Sequence, residues 1–229
     1  MNFPDLFDAG LAVGQLIALA ASTAMVGVTP SANAEGSNPA SVVGRYDGGQ
    51  MEVAADLELA ADGRFRYGLS YGALDEQATG KWSLSGDRVT LTSDPVTAPR
   101  FVVVSQEKGP EGVLRITLDF KDRQFLQYFD AVITTSAGSV EQAQLGTDGL
   151  TWPFHAGAPP KSVRLLFGVY QLVSDPLPLA PGPGYLIQYH FEQNDLGKVD
   201  FKGEPVRIVH GELLLERHGL KLSFKRGNP

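Results

Sequence analysis

Cysteine is absent from the 229 residues. Its absence excludes disulfide frameworks, cysteine-based zinc sites, thiol nucleophiles and a lipidated amino-terminal cysteine. A chain of this length does not depend on such cross-links, because about 70% of its unfolded surface can be buried in a core. We therefore expect a fold that is held together by side-chain packing and hydrogen bonds.

Basic residues are also scarce. The chain has 19 Lys and Arg against 26 Asp and Glu, and its formal net charge is −7. A protein that binds nucleic acid needs a concentrated field of positive charge for the phosphates. The composition therefore argues against nucleic acid as a partner, and the modest acidity is typical of a soluble domain that stays dispersed.

Helical periodicity is the third thing that the sequence lacks. After residue 40, no segment repeats apolar residues at helical spacing over three turns, so helix is expected only in short pieces, best placed at 73–78. Apolar and polar residues instead alternate, as at 51–59 and 64–69, and the dipeptide Asp62-Gly63 between them favours a tight hairpin turn. About twelve short strands of this kind predict an all-β protein made of antiparallel hairpins.

The amino terminus has the pattern of an export signal. Residues 9–28 are uncharged, and Ala32 and Ala34 form a small-x-small site, which predicts a signal peptide at 1–34 that is cleaved after Ala34. Asp5 and Asp8 depart from the positive charge that normally precedes such a segment, so an uncleaved membrane anchor is the alternative. We expect a flexible linker at 35–40 and a periplasmic or secreted location, with membrane contact only through an uncleaved segment.

Four short patterns between residues 41 and 92 point to a barrel. They are Gly-x-Tyr at 44–46, Asp-Gly-x-Phe at 62–65, Gly-x-Trp at 80–82 and Gly-Asp-x-Val at 86–89. This quarter of the chain resembles the small lipocalin-like barrels of exported bacterial proteins, including the copper-resistance lipoprotein family. The resemblance implies an antiparallel lipocalin-like barrel, but the metal-binding cysteines of the copper-resistance proteins have no counterpart here.

Residues 110–195 differ from this first region, because their strands are longer and a proline-rich loop, 176–184, interrupts them. They resemble prealbumin-like or immunoglobulin-like β-sandwiches. Within them, the near-continuous apolar run at 125–133 predicts one strand that is buried on both faces. We expect a barrel made by 41–105 together with 197–226, and a β-sandwich inserted between these stretches. Closing the barrel with the last strands would remove two exposed sheet edges. Two domains in simple sequence order are the alternative.

An aromatic cluster gives the candidate ligand site. In a small barrel, inward aromatic side chains either fill the interior or line one apolar pocket, and the sequence leaves both outcomes open. The candidate ligand-binding residues are Tyr46, Phe65, Tyr67, Tyr71 and Trp82.

One motif suggests catalysis. Residues 68–72 match G-x-S-x-G, the nucleophile elbow of serine hydrolases, with Ser70 as the nucleophile. The context argues against this role, because an elbow joins a parallel strand to a long helix, whereas these residues lie in a hairpin pattern. We therefore name no catalytic residue.

The histidines do not form a metal-binding motif. None of the spacings typical of zinc sites occurs, so neither a metal nor another cofactor is expected. The four residues are His155, His190, His210 and His218.

Two groups of acidic residues are explained more simply by a structural role than by catalysis or cation binding. Asp75 and Glu76 are expected in a solvated loop, with side chains that point in different directions. The acidic residues between 52 and 58 are expected on one strand face, with Arg64 and Arg66 on the next strand as their partners.

These observations favour a non-enzymatic, exported protein that binds a partner protein or ligand through its loops and sheet faces. The first alternative is a lipocalin-like carrier of a small apolar ligand. The second is a serine hydrolase that uses Ser70.

Overall fold

Short antiparallel strands dominate the computed structural model, which describes residues 39–227. The predicted signal peptide at 1–34 and most of the predicted linker lie outside the described residues. Three short 3₁₀-helices cover Pro39–Ser41, Arg123–Tyr128 and Gly168–Tyr170. Within 39–227, no helix has the length and apolar character needed to cross a membrane. The strands are β1 (Gly44–Asp47), β2 (Val53–Leu59), β3 (Arg64–Tyr71), β4 (Leu74–Ser85), β5 (Arg88–Ser93), β6 (Arg100–Lys108), β7 (Val113–Asp119), β8 (Phe129–Thr135), β9 (Val140–Gln144), β10 (Leu150–Pro153), β11 (Pro160–Phe167), β12 (Leu172–Val173), β13 (Leu177–Pro178), β14 (Tyr185–Glu192), β15 (Lys202–Val209), β16 (Glu212–Arg217) and β17 (Leu220–Arg226).

Eight of these strands form a closed antiparallel barrel in the order β1-β17-β16-β15-β5-β4-β3-β2. The predicted all-β fold and antiparallel barrel are confirmed, and a closed eight-stranded barrel is consistent with the lipocalin-like resemblance. The β2–β3 hairpin forms where alternation and turn chemistry agree, because Gly63 adopts φ 80° and the Asp62 carboxylate accepts a hydrogen bond from the Arg64 N–H. Pairing of Tyr46 with Arg226 joins the first strand to the last and leaves no open edge.

The inward side chains of the barrel pack into one continuous core. Each large apolar side chain removed from water contributes about 1.5–3 kcal/mol relative to an exposed one, so this core accounts for much of the barrel's stability. Its largest members are Tyr46, Leu57, Leu59, Phe65, Tyr67, Trp82, Leu91, Phe201, Leu222 and Phe224.

Strand β4 replaces the loop and short helix that the sequence predicted around 73–78. Its inward positions carry Glu76, Ala78 and Gly80, so the apolar alternation that identifies a strand is too weak to recognise. Gly80 is required by close packing, because a Cβ there would lie 2.1 Å from the carbonyl oxygen of Thr92. The first half of β4 is thus a genuine wall of the barrel.

Ion pairs on the outer wall also differ from the expected ones. Glu58 lies between Arg45 and Arg66 in the sheet and contacts Arg45 at 3.4 Å. Arg64 instead binds Asp94. The two terminal nitrogens of Arg64 donate hydrogen bonds to the two carboxylate oxygens of Asp94 at 2.9 and 2.5 Å. The predicted pairing with the acidic face of β2 was therefore wrong for Arg64, whereas Arg66 is the cross-strand neighbour of Glu58, as expected.

The strands from β6 to β14 build two further sheets. One has the order β10-β7-β14-β6, with β7 and β14 parallel, and the other has the order β12-β11-β8-β9, with β13 also paired to β11. Apolar side chains from both sheets share a second core, in which the rings of Phe129 and Phe167 stack 4.1 Å apart. The run 125–133, predicted as one strand, is the end of a 3₁₀-helix followed by β8.

Both cores belong to one compact unit, and the Gly168–Tyr170 helix connects them. Val169 and Tyr170 pack against the barrel core and against the second core. The Tyr170 hydroxyl donates to the carbonyl of Asp75 at 3.4 Å, and Gln77 N–H donates to the carbonyl of Gly197 at 2.8 Å. These contacts bring the β3–β4 turn of the barrel next to the second core.

Candidate functional site

The five predicted ligand-binding residues are not brought together on one surface. Tyr46, Phe65, Tyr67 and Trp82 are buried in the barrel core, whereas Tyr71 is 36% exposed at the end of β3. The Tyr46 hydroxyl donates to the carbonyl of Val42 at 2.7 Å, and Trp82 Nε1 donates to the carbonyl of Ala60 at 3.0 Å. These two polar groups are therefore used within the fold.

Tyr67 has the least satisfied polar group of this set. Its hydroxyl is buried and, within the described residues, makes no hydrogen bond of full geometry, although the Arg217 guanidinium lies near it. Its ring packs edge-on against Phe201 at 5.2 Å. Burial raises the pKa of Tyr67 well above its usual range, and the negative charge of Glu76 raises it further. Tyr67 is thus a neutral side chain in the barrel interior.

A charged cluster closes the barrel beside Tyr67. Arg217 donates from Nε and Nη2 to the two carboxylate oxygens of Glu76 at 2.5 and 2.6 Å, and His218 Nε2 lies 2.9 Å from Glu76 Oε1. The Glu76 side chain is only 7% exposed. Burial alone would raise its pKa, but the hydrogen bonds from His218 and Arg217 outweigh burial and hold the pKa below its usual range. The predicted solvated position of Glu76 was therefore wrong.

Asp75 points the other way, as expected for adjacent residues of a strand. Its carboxylate accepts a hydrogen bond of 2.6 Å from the hydroxyl of Ser70. Ser70 lies near the end of β3, and Gly72 follows in a turn with φ 58° that leads directly into β4. The G-x-S-x-G motif is thus the end of a hairpin, and the partner of its serine hydroxyl is a carboxylate.

The histidines are dispersed over the molecule. His190 Nδ1 lies 3.0 Å from a carboxylate oxygen of Asp119, and His210 and His218 occupy hairpin turns with φ 51°. His155 lies in the loop after β10. Within residues 39–227, no group of three or more His, Asp or Glu side chains is arranged to hold a metal ion.

An open groove next to the Gly168–Tyr170 helix is lined mainly by apolar and aromatic side chains. We call it the aromatic groove; its volume is about 240 Å³. The barrel contributes only the β3–β4 turn. The remainder comes from the Arg123–Tyr128 and Gly168–Tyr170 helices, from the end of β11 and from the segments that follow β7 and β14. Its lining residues are Ala73, Phe120, Lys121, Asp122, Phe125, Tyr128, Phe167, Val169, Tyr170, Gln193 and Leu196.

Local capping explains why aromatic side chains face solvent here. The Asp122 carboxylate accepts a hydrogen bond from Gln124 N–H at 3.0 Å and begins the Arg123–Tyr128 helix. That helix buries Leu126 but leaves Phe125 45% and Tyr128 37% exposed. The two rings lie 5.6 Å apart. Adjacent large apolar side chains that remain in water are typical of a binding surface.

Sequence reasoning missed the aromatic groove for a clear reason. The apolar run at 125–133 predicts a buried strand, which would place Phe125 and Tyr128 in a core. The one indication in the sequence is Asp122, because Asp is a common N-cap residue at the start of a helix.

Comparisons with known proteins do not assign this chain to a family. No protein-family model matches the chain, and neither a curated protein nor a solved structure matches it.

Proposed function

We propose that this is a non-enzymatic binding protein that takes a small apolar ligand in the aromatic groove. The observation that carries the proposal is the pair of half-exposed rings, Phe125 and Tyr128, at the edge of an open, aromatic-lined cavity. Ligand sites are typically concave and apolar, with a few polar groups that orient the ligand.

The barrel interior is a weaker candidate for the same ligand. Phe65, Tyr67 and Trp82 are each at most 9% exposed and pack within a continuous core, so a ligand there would have to displace side chains. The aromatic groove needs no such rearrangement. A cavity of about 150 Å³ holds a benzene molecule, so the groove has room for a ligand of one or two rings.

Polar side chains at the rim would orient this ligand. Among residues 39–227, neither Lys121 nor Gln193 has a side-chain hydrogen-bond partner, and both are exposed. Asp122 already uses one carboxylate oxygen to cap its helix. A ligand with an apolar ring system and one polar substituent therefore matches the groove best.

We also propose an exported location and a two-part architecture. The uncharged stretch 9–28 and the small-x-small site before Glu35 support export to the periplasm or the exterior.

The chain leaves the barrel after β5, builds a second core from two sheets and returns at β15. This path supports a lipocalin-like barrel with an inserted β-sandwich.

The ligand proposal is tested with N-phenyl-1-naphthylamine, a neutral aromatic dye that fluoresces more strongly in apolar sites. We expect saturable binding with one dye per protein. The double variant Phe125→Ala, Tyr128→Ala should weaken binding at least tenfold, which corresponds to about 1.4 kcal/mol of lost contact. Fluorescence titration measures both affinities.

Val173→Ala is the matched control, because Val173 is an apolar residue that is 55% exposed outside the groove. Its affinity for the dye should equal that of the unchanged protein. Equal binding by all three proteins would contradict the aromatic groove as the site.

A further inference from the structure

A second groove lies on the outer wall of the barrel, at the β2–β3 turn. We call it the arginine groove; its volume is about 450 Å³. It lies at the opposite end of β3 from the aromatic groove, because β3 runs from Arg64 to the turn that contains Ala73. Its lining residues are Arg45, Glu58, Ala60, Asp62, Arg64, Phe65, Arg66 and Thr79.

Strand register brings the arginines of this groove together. Arg45, Glu58, Arg66 and Thr79 are consecutive cross-strand neighbours on β1, β2, β3 and β4, so they form one row on the outer face. Arg64 lies two residues before Arg66 and therefore on the same face of β3. Three arginine residues thus lie on the same face of one short patch of sheet.

The three arginines of the arginine groove are accompanied by three carboxylates, Glu58 and Asp62 in its lining and Asp94 beside it, but within the described residues the ion pairing is uneven. Arg64 is held by both carboxylate oxygens of Asp94, and Arg45 has a single contact of 3.4 Å with Glu58 while its side chain is 83% exposed. No hydrogen bond or ion pair of the Arg66 side chain is found in residues 39–227. An exposed pair such as Arg45–Glu58 is weak and exchanges readily with another anion.

We infer that the arginine groove binds the phosphate or carboxylate group of a small, sugar-sized molecule. A guanidinium group offers a planar pair of N–H donors that matches two oxygens of either anion. Arg66 supplies an unused pair of this kind, and Arg45 supplies a second once it leaves Glu58. The volume lies within the range of small-molecule sites, and the half-buried Ala60 adds a small apolar contact for the rest of the ligand.

The full chain is titrated with inorganic phosphate, glucose 6-phosphate and glucuronate by calorimetry at low salt. We expect saturable one-to-one binding of at least one sugar anion. Arg66→Gln should weaken that binding at least tenfold, and Arg66→Lys, which keeps the charge but loses the paired donors, should weaken it by a smaller factor.

The matched control is Arg207→Gln, because Arg207 is an exposed arginine of β15 outside the groove. Its effect on affinity should stay below twofold. An equal loss in Arg207→Gln would overturn the inference, since general surface charge would then explain the binding. Absence of saturable binding of all three anions by the unchanged chain would overturn it as well. Circular dichroism of each variant separates a binding defect from a folding defect, and Arg66→Lys tests the site if Arg66→Gln does not fold.

Discussion

Glu76 occupies an inward position of β4, where a barrel wall normally carries an apolar side chain. Taking a carboxylate out of water is costly, and the cost is offset here by two donors of Arg217 and one contact with His218. The cluster ties β4 to the β16–β17 turn across the end of the barrel. The same pairing makes the barrel sensitive to the loss of either partner.

Glu76→Gln should lower the free energy of unfolding by about 2–4 kcal/mol at pH 7, because Arg217 is then left without its counter-charge in a largely buried position. The pKa of Glu76 is lower in the folded chain, so its ionised form contributes stability above the ordinary carboxyl pKa of about 4.3. This contribution is lost as the pH falls through the lower, folded pKa, because the unfolded chain binds the proton first. Urea unfolding of wild type and Glu76→Gln between pH 7 and pH 3 measures the difference between their free energies of unfolding, which should become smaller as the pH falls.

Glu58→Gln is the control for this prediction. Glu58 also contacts an arginine, but its side chain is 31% and that of Arg45 83% exposed, so the loss should stay below about 1 kcal/mol. A difference between wild type and Glu76→Gln that does not change with pH would contradict the proposed role of the ionised carboxylate.

The two buried tyrosines of the barrel give a second prediction at this scale. Tyr67→Phe should leave the free energy of unfolding unchanged or raise it by up to about 1 kcal/mol, because the hydroxyl that is removed makes no hydrogen bond of full geometry among the described residues. Tyr46→Phe should lower it by about 1 kcal/mol, since its hydroxyl donates to Val42 and accepts from Arg226. Urea unfolding of both variants provides the comparison, and a larger loss in Tyr67→Phe would show that its hydroxyl is hydrogen-bonded.

At the scale of single elements, the sequence predicts strands where apolar alternation and turn chemistry agree. The β2–β3 hairpin meets both conditions, with Asp62-Gly63 at its turn. Strand β4 fails the first, because Glu76 and Gly80 occupy inward positions for reasons of charge pairing and close packing. The Arg123–Tyr128 helix is the opposite case. Its apolar residues favour a strand, but the Asp122 carboxylate caps the segment and a helical turn forms instead.

The β5–β15 pair contains a cross-strand repulsion. Arg88 and Arg207 are directly opposite, both are exposed, and within residues 39–227 neither has an ion-pair partner. Arg207→Glu should therefore raise the free energy of unfolding by about 0.5–1 kcal/mol, because it replaces a like-charge pair with an opposite-charge pair. Thermal unfolding at low salt measures the gain, which should shrink in 0.5 M NaCl.

Arg207→Gln is the intermediate case and should give a smaller gain, because it removes the repulsion without adding an attraction. A loss of stability in Arg207→Glu would show that this arginine makes a favourable contact in the folded protein.

At the scale of the whole molecule, the position of the aromatic groove could not be predicted from the sequence. Its walls come from the turn at Ala73, the segment 120–128, the segment 167–170 and residues near Leu196. Only the packing of the second core against the β3–β4 turn brings these stretches together. The barrel, by contrast, follows from local patterns, because most of its strands pair with a neighbour in the chain.

The exceptions are the pairing of β5 with β15 and the pairing of β1 with β17, which joins Tyr46 to Arg226. On a ribosome, β1 is made early, yet one of its two neighbours, β17, is made only after every other strand of the barrel. The edge of β1 that pairs with β17 therefore stays unpaired until β17 has been synthesised, and the barrel closes only then. Final folding is therefore a late event for this chain, and a transcript or protease that removes β17 would leave two complementary edges open for pairing with other molecules.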